Sequence, residues 1–158
     1  MTIRVVLADD QEMVRIGFAM ILGAAPDMEV VGQASDGVEA VAVIAETRPD
    51  VALLDIRMPR LDGIEVSRRV VESATRVVIV TTFGEPDYVD AALGAGASGF
   101  LLKDAGPDLL IAAVRAAATG DALISPELTV DLLARSRASG RRDAAAAATL
   151  AELTARER

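Results

Sequence analysis

The sequence predicts an α/β fold with helices on both faces of a parallel sheet. Three observations carry this expectation. Short, near-continuous apolar runs recur up to residue 102, and such runs suit strands buried on both faces. Stretches with helix start signals lie between them. The two kinds of segment alternate from the first residues onward, which is the signature of α/β architecture.

The elements follow in order. Ile3–Ala8 is a β-branched run and reads as the first strand, followed by a helix over about 11–24. Met28–Ala34 reads as the second strand. Asp36-Gly37-Val38-Glu39 then sets an acid three residues before a glutamate, a capping-box spacing, and predicts a helix over 37–47. Asp-Gly can also mark a hairpin, but Val38, Val41, Ala42 and Ala45 continue at helical spacing. A third strand is expected at 51–55, and Asp62-Gly63-Ile64-Glu65 repeats the cap ahead of a helix over 63–73. A strand at 77–81 precedes a helix at 86–95, where Pro86 suits the first turn. The fifth strand is expected at 99–102 and the fifth helix at 107–119, ended by Gly120.

Beyond that point the pattern changes. Ser125 and Pro126 suit the N-cap and first residue of a sixth helix over about 126–136. Residues 137–149 read as a linker, although their alanines would equally extend a helix. Thr154-Ala155-Arg156-Glu157 has capping-box spacing again, just before Arg158. The expected division is a domain over 1–120, a linker over 121–149 and the start of a further unit over 150–158.

Composition narrows the chemistry. The chain has 158 residues, 52% hydrophobic and 25% charged, which is a globular composition. It has no Cys and no His. Disulfides, Cys/His zinc sites and Ser-His or Cys-His nucleophile systems are therefore excluded, and any metal must be held by oxygen. No apolar run approaches the roughly 18–20 residues that span a bilayer. The start, Met1-Thr2-Ile3-Arg4, lacks the shape of a signal peptide, so a cytoplasmic protein without a membrane role is expected. The net charge of −8 lies in residues 1–120, with 10 basic and 18 acidic side chains, whereas residues 121–158 carry 6 of each. An acidic domain is a poor ligand for duplex DNA, because phosphate contacts dominate that affinity. Fifteen of the 16 basic residues are Arg, and the one lysine is Lys103.

In doubly wound sheets, ligands sit at the carboxyl ends of strands. Asp9 and Asp10 follow the first strand, Asp55 ends the third, Thr81-Thr82 ends the fourth and Lys103 follows the fifth. Each has a bland alternative. The Asp pair suits a loop turn with an N-cap, and Thr81 is a common strand residue. Asp55 is harder to dismiss, since a carboxylate at the end of Val-Ala-Leu-Leu is costly without partners. Clustered carboxylates raise one another's pKa, and a hard divalent cation would relieve them: Mg²⁺ takes oxygen ligands, commonly one or two carboxylates with water and phosphate. A lysine supplies a compact charge for a phosphate oxygen.

The set formed by Asp9-Asp10, Leu54-Asp55-Ile56-Arg57-Met58-Pro59-Arg60-Leu61-Asp62-Gly63, Thr81 and Phe100-Leu101-Leu102-Lys103 resembles the receiver domains of bacterial response regulators. The likeness covers about residues 3–120. It implies a flavodoxin-like five-stranded parallel sheet in the order 2-1-3-4-5. Leu101-Leu102-Lys103-Asp104 and Ile124-Ser125-Pro126 are similar to the NarL/FixJ subfamily, and Leu153–Glu157 to the opening of a LuxR-type helix-turn-helix domain that the chain would carry only in part.

The resemblance implies a role for each residue. Asp55 would accept the phosphoryl group from a sensor histidine kinase. Asp10, Asp55 and the backbone carbonyl of Arg57 would hold Mg²⁺ or Mn²⁺, with Asp9 acting through water. Lys103 and Thr81 would contact the phosphoryl group. Thr81 and Phe100 would form the switch, with Phe100 standing where many relatives have Tyr and so lacking the hydroxyl. The output face would comprise residues 86–119, homodimerisation would follow phosphorylation, and DNA would be bound only through the missing C-terminal domain. On this reading the chain is a signalling switch that assists its own phosphorylation and dephosphorylation, not an enzyme. Two competitors are weaker. A phosphate-ester hydrolase usually needs a second acid or base near its aspartyl nucleophile, and Arg57, two residues after Asp55, is neither. A degenerate receiver would not need Asp10, Asp55, Thr81 and Lys103 together. Gly94-Ala95-Gly96-Ala97-Ser98-Gly99 matches a dinucleotide fingerprint in letters only, since its glycines end a helix where the motif must open one.

Overall fold

A computed structural model describes residues 2–82, 86–120 and 123–124. Strands and helices alternate: β1 (Ile3–Ala8), α1 (Glu12–Gly23), β2 (Met28–Ala34), α2 (Gly37–Thr47), β3 (Val51–Leu54), α3 (Gly63–Val70), β4 (Arg76–Thr81), α4 (Pro86–Gly94), β5 (Gly99–Leu102), α5 (Pro107–Ala118) and β6 (Leu123–Ile124). All pairings are parallel. The sheet runs β2-β1-β3-β4-β5-β6, which contains the expected 2-1-3-4-5 order. A two-residue sixth strand adds to the expected five at the β5 edge and falls where a linker was read. Its two residues extend the ladder through Gly99↔Leu123 and Phe100↔Ile124. A strand so short has no periodicity to read.

Side-chain alternation along each strand divides the core between the two faces of the sheet. Val5, Leu7, Val51, Leu53, Val78, Val80 and Leu101 pack with Leu22 of α1 and with Leu110, Ala113, Val114 and Ala117 of α5. The intervening residues Val6, Ala52, Leu54, Ile79 and Phe100 are equally buried and face the other way, toward α2, α3 and α4. A continuous apolar run thus serves both layers.

The helix caps form as the spacing predicts. Asp36 and Asp62 each accept the backbone N–H of the residue three along, Glu39 and Glu65, at 2.8 Å. Glu39 reaches back to the N–H of Ser35 at 3.0 Å. Ends of α1, β3, β4, α4 and α5 shift by one residue and that of α3 by three. α3 stops at Val70, three residues short of the expected end, because the N–H and hydroxyl of Ser73 both take the Val70 carbonyl, at 2.9 and 2.6 Å. β3 stops at Leu54, although the Asp55 N–H continues the ladder to Ala8 at 2.9 Å.

The described residues fall within one compact unit, Met1–Ser125. Among them no helix is long and apolar enough to cross a membrane. The expected helix at 126–136, the linker at 137–149 and the opening of a further domain at 150–158 lie outside the described residues.

The glycine inside α1 is not required by its surroundings. A Cβ at Gly17, inside α1, would meet nothing within 4 Å. Gly17→Ala is expected to stabilise the domain by about 0.5–1 kcal/mol through lower helix-forming entropy, read as an upward shift in thermal midpoint.

Candidate functional site

The site is built by the sheet ladder running one residue past the strand ends. The Asp9 N–H bonds to the Ala34 carbonyl of β2 at 3.1 Å, Asp55 to Ala8 of β1 at 2.9 Å, and Lys103 to Thr81 of β4 at 2.8 Å. Four residues far apart in the chain are therefore held side by side on one rim by backbone alone. Asp10 follows on the exposed side of the turn into α1. Asp10, Gln11, Asp55, Arg57, Thr81, Thr82 and Lys103 line an open cleft of about 230 Å³.

Asp9 and Asp55 are buried to 4% and 6% exposure. Two buried carboxylates need partners, and Lys103 supplies one to both. Its ammonium lies 2.9 Å from Asp9 and 3.0 Å from Asp55. It also donates to the amide oxygen of Gln11 at 2.8 Å. Asp9 is fixed further by the backbone N–H of Gln11 on its other carboxylate oxygen, 2.8 Å, and by the Arg15 guanidinium on its carbonyl, 2.6 Å.

Burial pushes the Asp55 carboxyl above its usual value, the Lys103 hydrogen bond opposes this, and the charges of Asp9 and Asp10 add to the rise. For Lys103, burial alone would lower the ammonium, but the hydrogen bonds to Asp9 and Asp55 and their charges outweigh it and hold the group above the ordinary lysine value. A carboxylate oxygen from each of Asp9, Asp10 and Asp55 lies within 4.8 Å of the other two. The candidate metal donors are all oxygen, and the three carboxylates outnumber the two cations, Lys103 and Arg57, on the same cleft. The donor set fits a hard divalent cation.

The sequence-predicted residues Asp9, Asp10, Asp55, Thr81 and Lys103 are thus brought together, and Arg57 lines the same cleft. Phe100 stands slightly apart. It is fully buried in β5, opposite Ile79 in register and on the same sheet face as Thr81, which pairs with Leu102. The side chains at 86–89, where the expected output face begins, lie outside the described residues.

Gln11 and Arg15 went unread in the sequence. The one available signal was that Gln11 adjoins the acid pair. Gly63 was read as part of a cap, and its second role shows only in three dimensions: a Cβ there would lie 2.1 Å from the Asp55 carbonyl oxygen.

Residues 5–115 match the family described as the response regulator receiver domain. The chain is 48% identical over 123 residues to the transcriptional regulatory protein YxjL of Bacillus subtilis, covering 77% of this chain and 56% of that one. Among solved structures it is similar to the signal receiver domain of NarL from Mycobacterium tuberculosis, with 42% identity, a TM-score of 0.73 and coverage of 75% and 98%. It also resembles a LuxR-family two-component response regulator from Aurantimonas, with 32% identity, a TM-score of 0.81 and coverage of 87% and 99%. The chain spans about 56–66% of the length of the curated relatives it matches first. A rim of acids and one lysine on a 2-1-3-4-5 sheet, and a family match running from β1 into α5, lead to one conclusion: this chain belongs to the response regulator receiver domain family, among relatives of the NarL/LuxR type.

Proposed function

We propose that the chain accepts a phosphoryl group on Asp55 from a sensor histidine kinase and relays that event as a change at its output face. One observation carries the reading: Asp55 is buried at a strand end, yet opens onto a cleft with an ammonium 3.0 Å away. A carboxylate oxygen of Asp55 would attack the phosphorus of a phosphohistidine. An O–P bond forms, the N–P bond breaks, and the imidazole leaves with the electron pair. Lys103 favours the ionised form of Asp55 against its burial, and its donor on Asp55 is placed to pass to a phosphoryl oxygen. The Thr81 hydroxyl lines the same cleft and is placed to donate to another.

Asp10, Asp55 and the Arg57 carbonyl would hold Mg²⁺ or Mn²⁺, with Asp9 acting through water; the ion would supply charge neutralisation at the phosphoryl oxygens. Thr81 and Phe100 share a sheet face, so movement of the hydroxyl toward a phosphoryl group would free space for the ring. A two-position element of this kind shifts population by differential binding energy. The chain's part is that of a switch that assists its own phosphorylation and dephosphorylation. The relatives are named transcriptional regulators. We extend that role to the whole protein, as a cytoplasmic regulator that dimerises on phosphorylation and contacts DNA through a LuxR-type domain.

The test is intact mass after incubation with acetyl phosphate and Mg²⁺. A gain of one phosphoryl group, lost in excess EDTA, is expected. Asp10→Asn should weaken Mg²⁺ binding and reduce labelling at least tenfold, in line with loss of roughly 1.4 kcal/mol or more from a charged ligand contact. A chain that takes no phosphoryl group would instead be a receiver that binds partners without modification. Labelling undiminished in EDTA would remove the metal from the scheme.

A further inference from the structure

We propose that Gln11 is a positioning residue of the phosphoacceptor site, holding the Lys103 ammonium in register with Asp9 and Asp55 through its side-chain amide oxygen. This rests on the reading of Asp55 as the acceptor. The first observation is donor accounting. A lysine ammonium has three N–H donors and no acceptor. In the unphosphorylated chain Lys103 directs them to Asp9 at 2.9 Å, Asp55 at 3.0 Å and Gln11 at 2.8 Å, and the donor on Asp55 is the one a phosphoryl oxygen there would take over. Since an ammonium cannot accept, only the amide oxygen of Gln11 can face it.

The second observation is that Gln11 stands at the N-cap of α1 and makes no side-chain cap hydrogen bond. That position favours Ser, Thr, Asp or Asn, whose side chains would turn back onto the helix. The Gln11 N–H donates instead to Asp9 Oδ1 at 2.8 Å, a side-chain turn just ahead of the helix. The longer side chain is left for Lys103, 92 residues away in sequence. Two carboxylates alone would leave the ammonium able to swing along the line between them. A third acceptor on another element fixes its position, and a fixed donor is worth more to a reacting group than a mobile one.

The backbone contact to Asp9 does not depend on the Gln11 side chain. Gln11→Leu therefore removes the amide while sparing the Asp9 contact, and Gln11 is itself exposed. The chain has one lysine, so protein labelled with ¹³C,¹⁵N-lysine gives a single ammonium signal. In Gln11→Leu that signal should shift at constant pH, and its proton exchange should quicken about 3–10-fold, the range for one lost hydrogen bond. Labelling of Asp55 by acetyl phosphate should slow by a similar factor. Gln11→Glu keeps an oxygen at the same reach and should return the exchange rate to the parent's or below. An unchanged Lys103 signal and exchange rate in Gln11→Leu would overturn the proposal, even if labelling slowed. A parent chain that takes no phosphoryl group would overturn the acceptor reading instead, and the Lys103 signal would still decide for or against Gln11.

Discussion

Asp55→Asn is expected to take up no phosphoryl group from acetyl phosphate and, without divalent cation, to melt above the parent. The first effect follows from chemistry, since an amide oxygen is no nucleophile for phosphorus under these conditions. The second follows from electrostatics. Burial and two neighbouring acids hold the native Asp55 carboxyl above its ordinary value of 3.8, in spite of Lys103. A carboxyl raised in the native state binds its proton more tightly there than in the unfolded chain. Its ionisation therefore costs native stability as pH rises through the raised value, and the cost is fully present above it. Asparagine carries no such cost. The advantage of Asp55→Asn should be largest at neutral pH and vanish as pH falls below the ordinary carboxylate range. Each kcal/mol relieved would raise the midpoint by about 4 °C in a domain of this size. Mg²⁺ should narrow the gap by stabilising the parent more. Calorimetry at pH 7 and pH 4, with and without Mg²⁺, reads all three effects; a variant no more stable than the parent at pH 7 in EDTA would contradict the electrostatic account.

Gly63→Ala is expected to combine a large loss of stability with a large loss of phosphorylation. The added Cβ would lie 2.1 Å from the Asp55 carbonyl oxygen, 2.9 Å from its carbonyl carbon and 3.2 Å from the Ile56 Cα. All three neighbours are backbone, so no side chain can swing aside. The Gly63 N–H also bonds to the Ile56 carbonyl at 2.9 Å, so pulling the two chains apart would strain that bond. The stability cost should reach about 3 kcal/mol, the upper part of the range for overpacking, or roughly 12 °C in midpoint. A displacement of the acceptor by about 1 Å can cost on the order of a hundredfold in rate. Labelling measured well below the variant's midpoint separates this from unfolding. Parent-like labelling and stability would show that the loop yields without moving Asp55.

Much of this was legible in one dimension. β1, β2, α2 and β5 begin and end where apolar runs and caps say, because a parallel strand buried on both faces must be apolar throughout. Asp9, Asp55, Thr81 and Lys103 were legible because strand ends in such a sheet share one rim, whatever their spacing in the chain. What escaped depends on distance in space. Gln11 reads as a polar residue at a helix start until Lys103 is placed beside it. Gly63 reads as a partner to a capping Asp until the backbone of Asp55 is seen against it. β6 is too short to have a pattern, and α3 ends early where Ser73 turns both its N–H and its hydroxyl onto the Val70 carbonyl.

The strand order also bears on how the domain is made. β1 is made before the other strands of this sheet and lies between β2 and β3, and β4 and β5 follow outward in sequence order. No later strand has to insert between two that are already paired. Growth from an N-terminal seed suits a chain that emerges at about 5–20 residues per second. Lys103 follows Asp55 by 48 residues, which at that speed is a delay of roughly 2–10 s. During that interval the nascent Asp9 and Asp55 lack the ammonium that bridges them, and β4, whose edge receives the strand that precedes Lys103, is made partway through it.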